Sequence, residues 1–250
     1  MNPSDKSARA WVGTSGWSYQ NWAGDFYPED LPPRQYLQFY AKHFPAAEVN
    51  YSFYHLPRVT TYEHWRQQVP QHFIFALKCS RLITHTRRLD GVEDAWKQFL
   101  SNAQVLGPQL GPILFQFPST FAMDCRRLSR FLSLVRASAN TSLRTAFEFR
   151  HASWFVDAVY NLLADHQAAL CIADSPEYPR HDVITTDFIY YRFHGRTCMF
   201  ASNYTPKELS LEATKMKEQL KEGADIYAFF NNDAEGHAVP NARRLMQLVA

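Results

Sequence analysis

The chain has 250 residues, 46% of them hydrophobic and 15% aromatic, the composition of a globular protein long enough to bury a large core. Its 26 basic and 24 acidic residues leave a formal charge of +2, so no global field recruits nucleic acid or an anionic membrane, and any anion site must be local. No run approaches the roughly 18 apolar residues of a membrane span, and the polar start MNPSDKSAR lacks the apolar stretch of a secretory leader. The expectation is a cytoplasmic protein with no membrane partner, a loose tail over residues 1–9 and one domain over residues 10–250. Cys79, Cys125, Cys171 and Cys198 are widely spread and form no CxxC, so neither a zinc site nor a disulfide framework is expected.

Short apolar, β-branched or aromatic runs alternate with longer helical patterns, the signature of repeated βα units around a parallel sheet. In chain order the pattern predicts a strand at 11–15, a helix at 33–44 after a proline-rich entry, a strand at 46–51 and a helix at 60–68. A strand at 73–78, a helix at 92–106, a strand at 112–116 and a helix at 124–137 follow. Then come a strand at 144–150, a helix at 153–166 and a strand at 168–174. The last elements are a strand at 187–194, a helix at 206–221, a strand at 225–231 and a helix at 239–248. That is eight strands and seven helices. Residues 175–186 are too short and too proline-rich for a standard helix, so the predicted fold is a single (β/α)₈ TIM-like barrel with a degenerate repeat between strands six and seven. An open doubly wound sheet is the alternative architecture.

Alternation along a strand sorts the polar residues by face. In AAEVNY, Ala47, Val49 and Tyr51 face the helices, which leaves Glu48 and Asn50 pointing into the barrel. In RTAFEFR, Phe147 and Phe149 face out while Glu148 and Arg150 point in. Lys78, Gln116, Asp174, Arg192, His194 and Asn231 are read as inward at the ends of their own strands. Barrel active sites are built at the strand C-termini, so these residues are expected to share one mouth. The competing reading is that the charges only pair with one another.

The segments GTSGWSYQNWAGDFYP (13–28), EVNYSFYHLP (48–57), FALKCSRLITHTRRL (75–89), LFQFP (114–118), FEFRHASW (147–154), YRFHG (191–195) and FFNNDAEGHAVPNA (229–242) resemble, in order and spacing, the motifs of the DUF72 family. Ser52 stands where that family usually has Thr. The resemblance implies a barrel with a polar site at the strand C-termini and carries no settled activity.

For chemistry, Lys78, Arg150 and Arg192 supply charge for a phosphate or carboxylate, with Asn50, Gln116 and Asn231 as further ligand contacts. Glu48, Glu148, Asp174 and His194 are the candidate acids and bases. Trp17 and Tyr54 head aromatic clusters in the first two loops that either stack on a ligand or pack the loops. His85 and His151 lie just past strand ends, as loop packing or as catalytic groups. The leading expectation is a metal-independent acid/base enzyme with no cofactor, acting on a small anionic, sugar-like molecule. The first rival is a metal-dependent phosphodiester hydrolase, with a divalent ion on Glu148, Asp174 and His194 and loop residues Arg81, Arg87 and Arg88 touching nucleic acid. The second is a non-catalytic binding protein.

Overall fold

A computed structural model describes residues 7–138 and 143–250, so residues 1–6 of the predicted tail lie outside it. The strands are β1 Ala10–Thr14, β2 Ala46–Val49, β3 Ile74–Lys78, β4 Leu110–Gln116, β5 Thr145–Glu148, β6 Ala169–Asp174, β7 Phe188–Phe193 and β8 Asp225–Phe230. The helices are α1 Tyr36–Tyr40, α2 Tyr51–Tyr54, α3 Val59–Gln68, α4 Glu93–Ala103, α5 Cys125–Ser138, α6 Asp157–Asp165, α7 Pro206–Lys221 and α8 Ala238–Val249. The single turn α2 and a π-helical turn at Leu82–Thr86 were not expected from periodicity, being too short to show any. The boundaries of α7 are written in its sequence: Pro206 opens it, and Thr205 and Glu208 close a capping box over its first turn.

The strands pair in parallel in the order β1-β8-β7-β6-β5-β4-β3-β2, and the chain is a nearly closed (β/α)₈ TIM-like barrel. The seam between β1 and β2 carries one bridge, Ser15 to Glu48. Buried Tyr40 of α1 helps to close it: its hydroxyl accepts from the Thr14 amide at 2.8 Å and donates to the Ala46 carbonyl at 3.1 Å. Gly13 stands at this point because a Cβ there would meet the Ala46 oxygen at 2.0 Å.

Two apolar layers flank the strands. The inner one divides by size, with Ala46, Ala76, Ala146, Ala169 and Ala173 from β2, β3, β5 and β6 facing Phe188, Tyr190, Tyr227 and Phe229 from β7 and β8. Rings from one wall fill the volume that alanines leave on the other, and Trp11 stacks on Tyr227 with centroids 4.8 Å apart. The larger outer layer packs Val49, Phe75, Phe115, Phe147, Leu170 and Ile172 against the helices.

Residues 175–187 form no helix, as their composition predicts. Arg180 pins this loop to the barrel wall, holding Asp182 at 2.7 Å and Glu212 of α7 at 2.8 Å. No helix of the described residues is long and apolar enough to cross a membrane.

Candidate functional site

The strand C-termini surround a cavity of about 740 Å³ lined by Asn50, Tyr54, Lys78, Gln116, Arg150, Arg192 and Asn231 together with Tyr19, Asn21, Phe53, His85, Phe200 and Asp233. Seven of the predicted site residues therefore converge on one space. Glu48, Glu148 and His194 are fully buried just beneath it.

Arg192 organises the floor. Its Nη2 donates to Glu48 Oε1 at 2.7 Å and its Nη1 donates to Glu148 Oε2, so β2, β5 and β7 are tied together at one guanidinium that is 1% exposed. Glu48 also accepts from Ser15 at 2.7 Å and Tyr190 at 2.8 Å, while Glu148 accepts from Arg150 Nε at 2.8 Å. Burial alone would raise both carboxyls. Arg192, aided by hydrogen bonds at Glu48 and by Arg150 at Glu148, outweighs it and holds both below the usual carboxylate range, Glu148 well below. Both stay ionised at neutral pH, so neither serves as a general acid.

His194 lies on the same floor. Its Nδ1 accepts from the Asn231 amide at 3.1 Å, which leaves the proton on Nε2, 3.7 Å from Glu148 Oε1 and beyond hydrogen-bond reach. Burial and then Arg192 lower its pKa to about 4, so the ring is neutral. The following Gly195 is fixed by a φ of 99° and by Cys198, whose carbonyl would lie 2.5 Å from any Cβ.

Lys78 is different in kind. It ends β3 with its ammonium 4.1 Å over the Phe53 ring, and among the described residues no carboxylate lies within 4.0 Å of it. Burial, reinforced by Arg192 and opposed only in part by Glu148 and Glu48, lowers its pKa to about 7. Arg150, placed by its Tyr178 contact at 4.5 Å, spends Nε on Glu148, and its Nη groups have no acceptor among the described residues. Asn50 Oδ1, Arg192 Nε and His194 Nε2 are buried without hydrogen-bond partners, three such atoms in one place.

Two predicted site residues are not brought into this space. The Asp174 side chain leaves the barrel on the outer face with Leu170 and Ile172, because the inward positions of β6 are Ala169, Cys171 and Ala173. There Asp174 pairs with Arg196 at 3.0 Å and Arg180 at 3.6 Å. Trp17 does not line the cavity; it packs edge-on against Trp65, with centroids 5.4 Å apart, and against Phe75. The ligand set Glu148, Asp174 and His194 consequently does not converge, and among the described residues no group of three or more His, Cys, Asp or Glu side chains is arranged to hold a metal ion.

Several contributors were not singled out from sequence. Ser15 and Tyr190 share the inward alternation of Gly13 and Arg192, so extending the same rule would have found them, whereas Asp233 lies in the turn after β8, where alternation gives no signal. Asp233 accepts from Trp22 Nε1 at 2.8 Å, which ties the first loop to the last. Phe200 left no signal. It is 39% exposed on the rim and held at a φ of 63°, a backbone region costly for a bulky side chain.

The sequence matches the profile of the family described as "Protein of unknown function DUF72" over residues 11–250. It is 25% identical to the UPF0759 protein YunF of Bacillus subtilis over 96% of this chain and 94% of that protein. It is 28% identical to the UPF0759 protein YecE of Escherichia coli over 58% of this chain and 50% of that one. Among solved structures, a DUF72 family protein from Thermotoga maritima superposes with a TM-score of 0.79 at 28% identity, covering 96% of this chain and 99% of that one. A second, from Enterococcus faecalis, gives 0.80 at 21% identity, covers 96% and 95%, and supports the fold alone. With a matching profile over nearly its whole length, ordered motifs and the same barrel, the chain belongs to the DUF72 family.

Proposed function

We propose that the barrel mouth binds a small organic molecule carrying a carboxylate or phosphate and acts on it as an acid/base enzyme without a resident metal. The observation that carries this reading is how the charges around the cavity are engaged: Glu48 and Glu148 are taken by Arg192 and Arg150 and Asp233 by Trp22, while the Arg150 Nη groups and the Lys78 ammonium face the space without a carboxylate. An anion placed against the Nη groups of Arg150 would accept charge-assisted hydrogen bonds that nothing else in the described residues takes. Lys78, whose pKa lies near neutrality, exchanges the proton, while Glu48 and Glu148 hold Arg192 and Arg150 in place. Tyr54 and Phe200, both exposed on the rim, are placed to cover the uncharged part of the ligand.

The metal-dependent hydrolase lacks a converged ligand set, so protein purified without chelator should carry far less than stoichiometric zinc, manganese or iron. The binding reading itself is tested by melting temperature against phosphate concentration. A ligand that binds only the folded state raises Tm by mass action, and Arg150→Ala in the same buffers controls for general salt effects. The expected result is a phosphate-dependent rise in the wild type that largely disappears in Arg150→Ala. Equal rises in both would remove the anion site.

A further inference from the structure

We propose that Lys78 is a nucleophile, whose amine condenses with the carbonyl group of a small anionic substrate to form an imine. This rests on the reading that the mouth holds an organic anion, and narrows it to aldehydes or ketones that also carry a phosphate or carboxylate.

The placement of Lys78 is the starting point. It closes a strand paired on both sides, by β2 and by β4, so the base of its side chain is fixed while its head faces the cavity. A lysine kept for structure ordinarily ends on a carboxylate, but the two acids of the floor are taken by Arg192 and Arg150, and Lys78 rests on Phe53 instead. Asn50, which caps α2 just past the end of β2, lines the same cavity as Lys78, and its Oδ1 is buried with no partner. It is positioned to accept from the hydroxyl of a tetrahedral adduct. Arg150 follows β5, beyond β4 from β3, so an anion on it sets a carbonyl between the two strands.

The chemistry of the neighbours leaves Lys78 to do more than exchange a proton. His194 and His85 both titrate at about 4, and Glu48 and Glu148 are locked as ionised partners of arginine, so they offer no acid to pair with a lysine base. Asp233, the remaining carboxyl of the lining, is held by Trp22. An imine needs one amine, because the iminium carbon–nitrogen bond is its own electron sink. The lone pair of Lys78 Nζ attacks the carbonyl carbon, and the carbonyl π pair moves to oxygen, which takes the proton lost by nitrogen. The hydroxyl then leaves as water with one proton from solvent, giving the protonated imine. Burial and the nearby Arg192 supply the free amine that this step requires.

The test uses the wild-type chain and pyridoxal 5′-phosphate, which joins an aldehyde to a phosphate, followed by borohydride reduction and peptide mass mapping. At about pH 7.5 an ordinary lysine is free amine in roughly one molecule in a thousand, whereas Lys78 is mostly free amine. Lys78 should therefore be modified at least about tenfold faster than Lys42, Lys97 or Lys215. Inorganic phosphate should slow its modification, and Arg150→Ala should lose that protection. Modification of Lys78 no faster than the surface lysines would overturn the imine while leaving the phosphate-dependent melting result standing. Rapid modification equalled by pyridoxal without phosphate would instead overturn the anionic substrate.

Discussion

Two arginine–carboxylate networks lie on opposite faces of the barrel wall, and they are satisfied to different degrees. In the outer one, Arg180 and Arg196 share Asp174 and Glu212, Arg180 also holds Asp182, and Lys215 reaches Asp182 at 2.8 Å. None of its buried polar atoms lacks a partner among the described residues. In the inner one, Arg192 is engaged at both Nη groups, yet Arg192 Nε, His194 Nε2 and Asn50 Oδ1 have no partner and Lys78 has no acid. Both contain charges that alternation or composition makes visible. The unmet hydrogen bonds and the cations without a carboxylate, rather than the number of charges, set the proposed ligand site apart from a brace that holds a loop where a helix is missing.

Breaking each network in turn sharpens the contrast. A large effect is expected from Arg192→Ala, which leaves buried Glu48 without a cation and Glu148 with Arg150 alone, and should lower unfolding stability by about 3–5 kcal/mol in urea denaturation. An unchanged midpoint would show that water, not Arg192, satisfies Glu48 and Glu148. Arg180→Ala, in the partly exposed outer network, should cost about 1–3 kcal/mol by the same measurement and leave the phosphate-dependent Tm rise intact. Loss of that rise would assign the anion to the wrong face.

A pH-dependent effect is expected at Lys78. Its folded pKa of about 7 lies below its unfolded value of 10.5, so the unfolded chain binds the extra proton between them and stability rises with pH across that window. Lys78→Met should remove that slope, at most about 1.4 kcal/mol per pH unit, and be relatively most stabilising near or below pH 7. Parallel stability–pH curves for wild type and variant would mean that Lys78 titrates normally. Glu148 gives a slope of the same sign in the acid range: its stabilisation is present above the ordinary carboxylate pKa and is lost as pH falls below that value.

The inner network was largely legible before the structure. Small residues on one face of β2 and bulky apolar ones on one face of β5 leave Glu48, Glu148 and Arg150 only one direction to point, and the barrel does the rest. Asp174 was misplaced because it was read by its position at a strand end rather than by its face. Leu170 and Ile172 are the larger apolar residues of β6 and belong against the helices, and Asp174 shares their side. Trp17 was drawn toward the mouth by the aromatic loop around it, whereas Trp65 and Phe75 offered it a better packed outer surface. The absence of an acid beside Lys78 could not be read at all. It depends on Arg192 and Arg150 claiming both carboxylates, a choice made by three-dimensional distances among four strands.

The most direct test of the claim that the mouth is the functional site is a crystal structure of the wild-type protein grown with an organic phosphate. The phosphate is expected against the Nη groups of Arg150, with the organic part reaching toward Lys78 and under Tyr54 and Phe200. Phosphate bound instead on Arg180 or Arg196, with the mouth unoccupied, would contradict it.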